Sequence, residues 1–188
     1  MTQVAMIGLG KLGLPVAEVM SELHDVKGYD VNPSIKNEKI KICNSLFNAC
    51  VDAEIIFIAV PAPHDPKYGG EAPSSELPTK DFDYQYLKET LKHLVEYAPK
   101  DALIVNISTV LPGTLRPMIS ELGISDRFIY NPYLIAMGTV TEDFLSPDIM
   151  MLGFDSWPNK MNTPKADKLI QFYKTVQTKR QPHTTLCT

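Results

Sequence analysis

Apolar residues along the chain fall into two rhythms. The runs QVAMI (3–7), EIIFIAV (54–60) and ALIVNIST (102–109) are short, nearly unbroken and bounded by glycine, proline or charge. Such runs predict strands covered on both faces. Other stretches carry apolar positions at helical spacing: LPVAEVMSEL (14–23), DYQYLKETLKHLVEYA (83–98), LRPMISEL (115–122) and KADKLIQFYKTV (165–176). Pro15 is tolerable in a first turn, and Asp83 is the expected cap of the helix it opens. DVKGYDV (25–31), KIKI (39–42), RFIY (127–130) and DIMMLG (148–153) read as further strands, and SLFNACVD as a brief helix. The stretch between 130 and 148 is expected to be irregular. The proline-, glycine- and serine-rich segment from Pro61 to Asp81 reads as a long loop of the functional or mobile kind.

Strands alternating with helices through short connections predict an α/β domain, a doubly wound, mostly parallel sheet with helices on both faces. No linker, repeat or low-complexity stretch interrupts residues 1–188, so one domain is expected.

Composition narrows the partners. A chain of 188 residues, 44% hydrophobic and 21% charged, is long and apolar enough to bury a core. A net charge of −4 without a basic, aromatic-studded stripe argues against nucleic acid. The apolar runs fall far short of a membrane span, and nothing before Lys11 reads as a signal peptide. Cys43, Cys50 and Cys187 match no metal spacing and leave one thiol unpaired, which fits buried free thiols in a reducing cytoplasm. No metal site is expected.

The candidate chemistry begins at GLGKLG. Gly8, Gly10 and Gly13 fall between the first strand and the first helix. The first glycine allows a tight turn, the second a close approach of backbone to pyrophosphate, and the third close packing of helix on strand. Asp30 ends the second strand, 17 residues after Gly13. A carboxylate there accepts hydrogen bonds from an adenosine ribose and repels a 2′-phosphate, which favours NAD over NADP.

Three more motifs follow: IFIAVPAP (56–63), NISTVLPGT (106–114) and YNPYLIAMGTVTEDFLSPDIMMLG (130–153). With GLGKLGLP, and in this order, they resemble the N-terminal, Rossmann-type domain of the UDP-glucose/GDP-mannose dehydrogenase family. That family shows a GxGYVGLP-like start, a VPTP-like strand end, STVPPGT, and NPEFLREG followed by DF and PDR. The resemblance covers nearly the whole chain. It implies NAD-dependent oxidation of the C6 hydroxyl of a nucleotide sugar to a carboxylate in two hydride transfers. It implies that Gly8, Leu9, Gly10, Lys11, Leu12, Gly13 and Asp30 bind the adenosine diphosphate half of NAD. Val60, Pro61 and Ala62 would line the cofactor, as would Ser108 and Thr109, with Thr109 near the nicotinamide as the catalytic candidate. Asn131, Tyr133 and Met137 occupy the substrate-side segment.

The departures are as informative. Aligning Asn131-Pro132 with Gly138 puts Tyr133 and Met137 where NPEFLREG has glutamates, and neither is a carboxylate base. Ala136 replaces its arginine, and Ala62 the VPTP threonine. Ile35 stands where a basic residue is common, with Lys36 beside it. The stretch between Asp30 and Glu54 is short for the family, and the loop from His64 to Lys80 expanded. No GGSCLPKD-like cysteine motif is present: Cys187 lies in TTLCT, which looks like the strand before the family's central helix, so the chain is expected to stop at a domain boundary.

Three readings stay open. The chain is the cofactor half of a nucleotide-sugar dehydrogenase that needs a second chain or a missing C-terminal domain, a non-catalytic NAD-binding or regulatory module, or a relative of the 6-phosphogluconate and hydroxyacid dehydrogenases. STVLPGT and the YNP…DF…SPD order weigh against the last. His24, His64, His93 and His183 stand at spacings that build no site, His64 alone being worth watching. The acidic residues around the long loop, Glu71 among them, read as solvated surface. Tyr84, Tyr86 and Tyr97 divide between packed and exposed faces, and Trp157 packs a turn.

Overall fold

The computed structural model of the chain describes residues 1–69, 76–136, 138–155 and 162–188. Met137, Trp157 and Glu71 lie outside the described residues. Eight strands form one sheet: β1 (Gln3–Ile7), β2 (Asp25–Tyr29), β3 (Lys41–Ile42), β4 (Ile55–Ile58), β5 (Leu103–Asn106), β6 (Phe128–Tyr130), β7 (Ile149–Gly153) and β8 (His183–Cys187). Their order is β3-β2-β1-β4-β5-β6-β7-β8. The first six pair in parallel, β7 runs antiparallel to β6, and β8 runs parallel to β7. The expected doubly wound, mostly parallel sheet is the one observed.

Six helices complete the described fold: α1 (Gly13–Met20), α2 (Leu46–Cys50), α3 (Gln85–Tyr97), α4 (Leu115–Glu121), α5 (Val140–Leu145) and α6 (Asn162–Val176). Strand alternation divides them between the faces. Val4, Met6, Ile55, Phe57, Leu103 and Val105 pack with residues of α1, α5 and α6. Their neighbours Ala5, Ile7, Ile56, Ile58 and Ile104 pack with α2, α3 and α4. Both faces of the central strands are therefore buried, which is why those segments read as unbroken apolar runs.

The differences from expectation sit at ends and short elements. β2 stops at Tyr29 rather than Val31, so Asp30 lies just past the strand. α3 begins at Gln85, and Asp83 is not its cap residue, although its carboxylate accepts the Gln85 N–H at 2.9 Å. α6 starts three residues earlier than the pattern at Lys165 implied. The supposedly irregular stretch before β7 contains α5, whose Val140 and Phe144 are buried against α1 and the sheet. In the long loop, Pro66–Tyr68 forms a 3-10 turn, and Asp65 pairs with Lys80 at 2.5 Å. That ion pair and the neighbouring Lys67 N–H hold the Asp65 carboxyl below its ordinary range. Cys43 and Cys50 are buried free thiols as expected, whereas Cys187 is exposed. Burial pushes the Cys50 thiol up to about 12. No described helix is long and apolar enough to cross a membrane.

Candidate functional site

β1 leads to β2 and β3 on one side, while β4 leads to β5 and β6 on the other. Connections leaving in opposite directions open a crevice at the carboxyl ends of β1 and β4, where ligands of doubly wound sheets bind. A cleft of about 1090 Å³ lies there. Its floor is made by Ile7, Gly8, Gly10, Lys11 and Leu12 after β1, and by Ala59, Val60, Pro61 and Ala62 after β4. Asp30, Ser108 and Thr109 also line it. Sequence-predicted residues from four chain segments thus meet at one edge of the sheet.

The glycine turn is held by contact. Gly8 has φ +93°, and a Cβ there would lie 2.5 Å from the Ala59 carbonyl oxygen. A Cβ on Gly13 would lie 2.0 Å from the Gly8 carbonyl oxygen. The helix start could not approach the strand end so closely with any side chain at either place. At Gly10 a Cβ would meet nothing within 4 Å, so that position faces open space. No side chain caps α1; its Leu14 N–H donates to the Gly10 carbonyl at 3.1 Å and Pro15 has none, so of the first-turn donors the Gly13 N–H is the one left to an anionic ligand. This open cradle and uncapped terminus fit a pyrophosphate.

Asp30 is fixed from two sides. Its Oδ2 accepts the Leu9 N–H at 2.7 Å, and its Oδ1 accepts the Asn32 N–H at 2.8 Å. The carboxylate is thereby tied to the glycine turn while keeping lone pairs for a ribose diol. Leu9 itself is buried, and its side chain packs over Gly28. Its contribution is the amide. Lys11 is exposed on the cleft, and Leu12 half-buried in it.

Ser108 and Thr109 have different roles in the structure. Ser108 is buried, and its hydroxyl donates to the Val60 carbonyl at 2.7 Å, stapling the end of β5 to the end of β4. Asn106 Nδ2 donates to the Ser108 carbonyl at 3.0 Å and shapes the same turn. Thr109 is exposed and faces the cleft. Its hydroxyl is the one of the pair open to a ligand.

Asn131 and Tyr133 are not brought to this cleft. Asn131 is buried; its Nδ2 donates to the Met151 carbonyl at 2.9 Å, and its Oδ1 accepts the Tyr173 hydroxyl at 2.5 Å. The Tyr173 oxygen in turn lies 2.7 Å from that of Tyr133. Burial holds both phenols well above their ordinary range, so they are neutral hydrogen-bonding groups at neutral pH. A separate cavity of about 260 Å³ adjoins this chain, lined also by Asp143 and Gln177.

One wall of the main cleft was not anticipated. Tyr86, Glu89, Thr90, His93 and Tyr97 of α3 face it, joined by Phe47 of α2. The spacing was legible: these positions form a stripe that flanks the buried Leu87, Leu91 and Leu94, with Thr90 buried at the border. His93, set aside with the other histidines, is in the site, while the watched His64 lies outside the cleft's lining. Among the described residues no group of three or more His, Cys, Asp or Glu could hold a metal ion.

Residues 33–177 match the sequence model of the UDP-glucose/GDP-mannose dehydrogenase family, NAD binding domain. The match begins after the glycine turn and Asp30, so the cleft geometry there stands as a separate observation. A UDP-glucose 6-dehydrogenase of Rickettsia conorii is 29% identical over 157 residues, 82% of this chain and 32% of that protein. The chain spans about a third of the length of that curated relative. Among solved structures, a UDP-D-ManNAc dehydrogenase from Pyrococcus horikoshii superposes with a TM-score of 0.74 at 20% identity, over 98% of this chain and 47% of that one. A UDP-glucose dehydrogenase from Pyrobaculum islandicum gives 0.72 at 23%, over 98% and 46%. At these identities the structures establish likeness of fold.

Proposed function

The chain belongs to the UDP-glucose/GDP-mannose dehydrogenase family as its NAD-binding domain, and on that premise we propose that it holds the cofactor for the oxidation of a nucleotide sugar at C6 and needs groups beyond these 188 residues for turnover. NAD, when bound, supplies the hydride acceptor. The observation that carries the reading is the joined geometry of the glycine turn and Asp30, whose Oδ2 takes the Leu9 N–H at 2.7 Å. The uncapped α1 terminus binds the pyrophosphate, and the carboxylate binds the adenosine ribose and rejects a 2′-phosphate. Thr109, exposed beyond the Ser108 staple, positions a water or hydroxyl beside the reacting carbon.

A second reading, a non-catalytic NAD-binding module, is favoured by one feature. The Tyr133 hydroxyl, at the position of the family's glutamate, is committed to Tyr173 and cannot serve as a carboxylate base. The buried free thiols Cys43 and Cys50 support a reducing, cytoplasmic setting.

Calorimetric titration with NAD and NADP tests the cofactor reading. Saturable NAD binding, weaker NADP binding and a loss of about tenfold or more in Asp30→Ala are expected, the size of one or two charge-assisted hydrogen bonds. Absence of NAD binding at millimolar concentration sinks it. NADH formation on adding UDP- or GDP-sugars to the isolated chain would sink the claim that turnover needs further groups.

A further inference from the structure

The cleft continues past Asp30 between α2 and α3, where three rings form one group. Tyr97 and His93 stack with centroids 5.8 Å apart and 7° between planes. Phe47 meets Tyr97 edge-on, also at 5.8 Å. Tyr97 is half-buried against the α2–α4 layer and braces the other two. Phe47 is 46% exposed and His93 is exposed, both on the cleft wall. Large rings left in water on the wall of a cleft are surfaces for a flat ligand.

Position selects which flat ligand. Ile42 of β3 pairs with Gly28 of β2, and Ser45 and Phe47 follow directly after β3. Phe47 therefore sits beside the end of β2 that presents Asp30 and Val31, and all three line the same cleft. A base attached to a ribose held at Asp30 would fall on this side, away from Thr109 after β5. The short connection between Asp30 and Glu54 brings α2 into the wall. Resting on the NAD reading, we propose that the adenine ring stacks against Phe47 and His93, with Tyr97 as their brace, and that this aromatic pair is the purine-binding part of the site.

Calorimetry with NAD, AMP and nicotinamide mononucleotide tests this on the wild type and on Asp30→Ala, Phe47→Ala, Phe47→Leu, Phe47→Trp and His93→Ala. Phe47→Ala is expected to weaken NAD and AMP alike by about tenfold, the scale of one base–aromatic stack. Nicotinamide mononucleotide, which lacks the purine, keeps its affinity. Phe47→Trp restores binding. Phe47→Leu, apolar without a ring, stays weak while melting like the wild type, which separates stacking from folding. NAD binding that falls in Asp30→Ala but holds in Phe47→Ala and His93→Ala overturns the stacking proposal alone. Equal losses for the mononucleotide and AMP overturn it too. A wild-type chain that binds neither NAD nor AMP removes the cofactor reading itself, and the stack with it.

Discussion

Gly13 and Gly10 are both glycines of one turn, yet they are required for opposite reasons. At Gly13 a methyl would strike the Gly8 carbonyl at 2.0 Å, whereas at Gly10 it would enter empty space. Gly13→Ala is therefore expected to destabilise the fold by about 1–3 kcal/mol, the usual cost of overpacking, visible as a lower urea midpoint. Gly10→Ala is expected to leave that midpoint unchanged and to weaken NAD binding, because its methyl occupies the open cradle. A Gly10→Ala protein with unaltered affinity would show that no ligand approaches the turn. The spacing of the three glycines was legible in the sequence; their division of labour was not. Asp30 was likewise legible by its distance from the turn, but its anchor on the Leu9 amide was hidden, since a backbone donor has no residue code.

At the scale of elements, His24 joins the end of α1 to both the N-terminal segment and α6. Its Nδ1 accepts the Thr2 N–H at 3.3 Å, so Nε2 carries the proton and donates to Thr175 Oγ1 at 2.7 Å. The Thr175 hydroxyl donates in turn to the Phe172 carbonyl at 2.6 Å, and the Phe172 ring lies 4.6 Å from the imidazole. Protonating Nδ1 would point a hydrogen at the Thr2 amide. Burial, reinforced by the N-terminal ammonium and opposed by Glu54, holds this histidine below its ordinary value. The unfolded chain then takes up the proton first, so stability is complete above a pH of about 6.5 and is lost as pH falls below it. Urea unfolding at pH 7.5 and 5.5 is expected to show a loss that is smaller in His24→Gln; equal losses in both proteins would remove His24 as the cause. The same scale explains the missed α5. Six residues carry too few turns for a periodic signal, and the helix is fixed by Val140 and Phe144 packing on its neighbours. α3 was legible through its Leu87, Leu91 and Leu94 stripe, yet the adjoining stripe became a cleft wall only when α2 packed beside it.

Across the whole molecule, one sheet separates two apolar layers, and each central strand belongs to both. Phe57 is fully buried and lies 5.7 Å from Phe172 and 6.2 Å from Tyr173, while its neighbours Ile56 and Ile58 pack on the other face. Phe57→Ala is expected to cost about 3–5 kcal/mol. Because the strands tie the layers together, that loss should appear in one cooperative transition, with far-ultraviolet circular dichroism and tyrosine fluorescence coinciding. Separate transitions would mean that the layers melt independently. By itself the sequence determined the parallel sheet, the glycine turn, Asp30 and the order of motifs that carries the family, because each is written in local spacing or in short contiguous runs. Only the tertiary structure decided that Ser108 is a staple while Thr109 faces the cleft, that Asn131 and Tyr133 are spent on a buried chain with Tyr173, and that Phe47 joins His93 on one wall. Those outcomes depend on which side chains meet across 40 or more residues of chain, as Tyr173 meets Asn131 and Phe47 meets Tyr97. No local pattern encodes such a meeting.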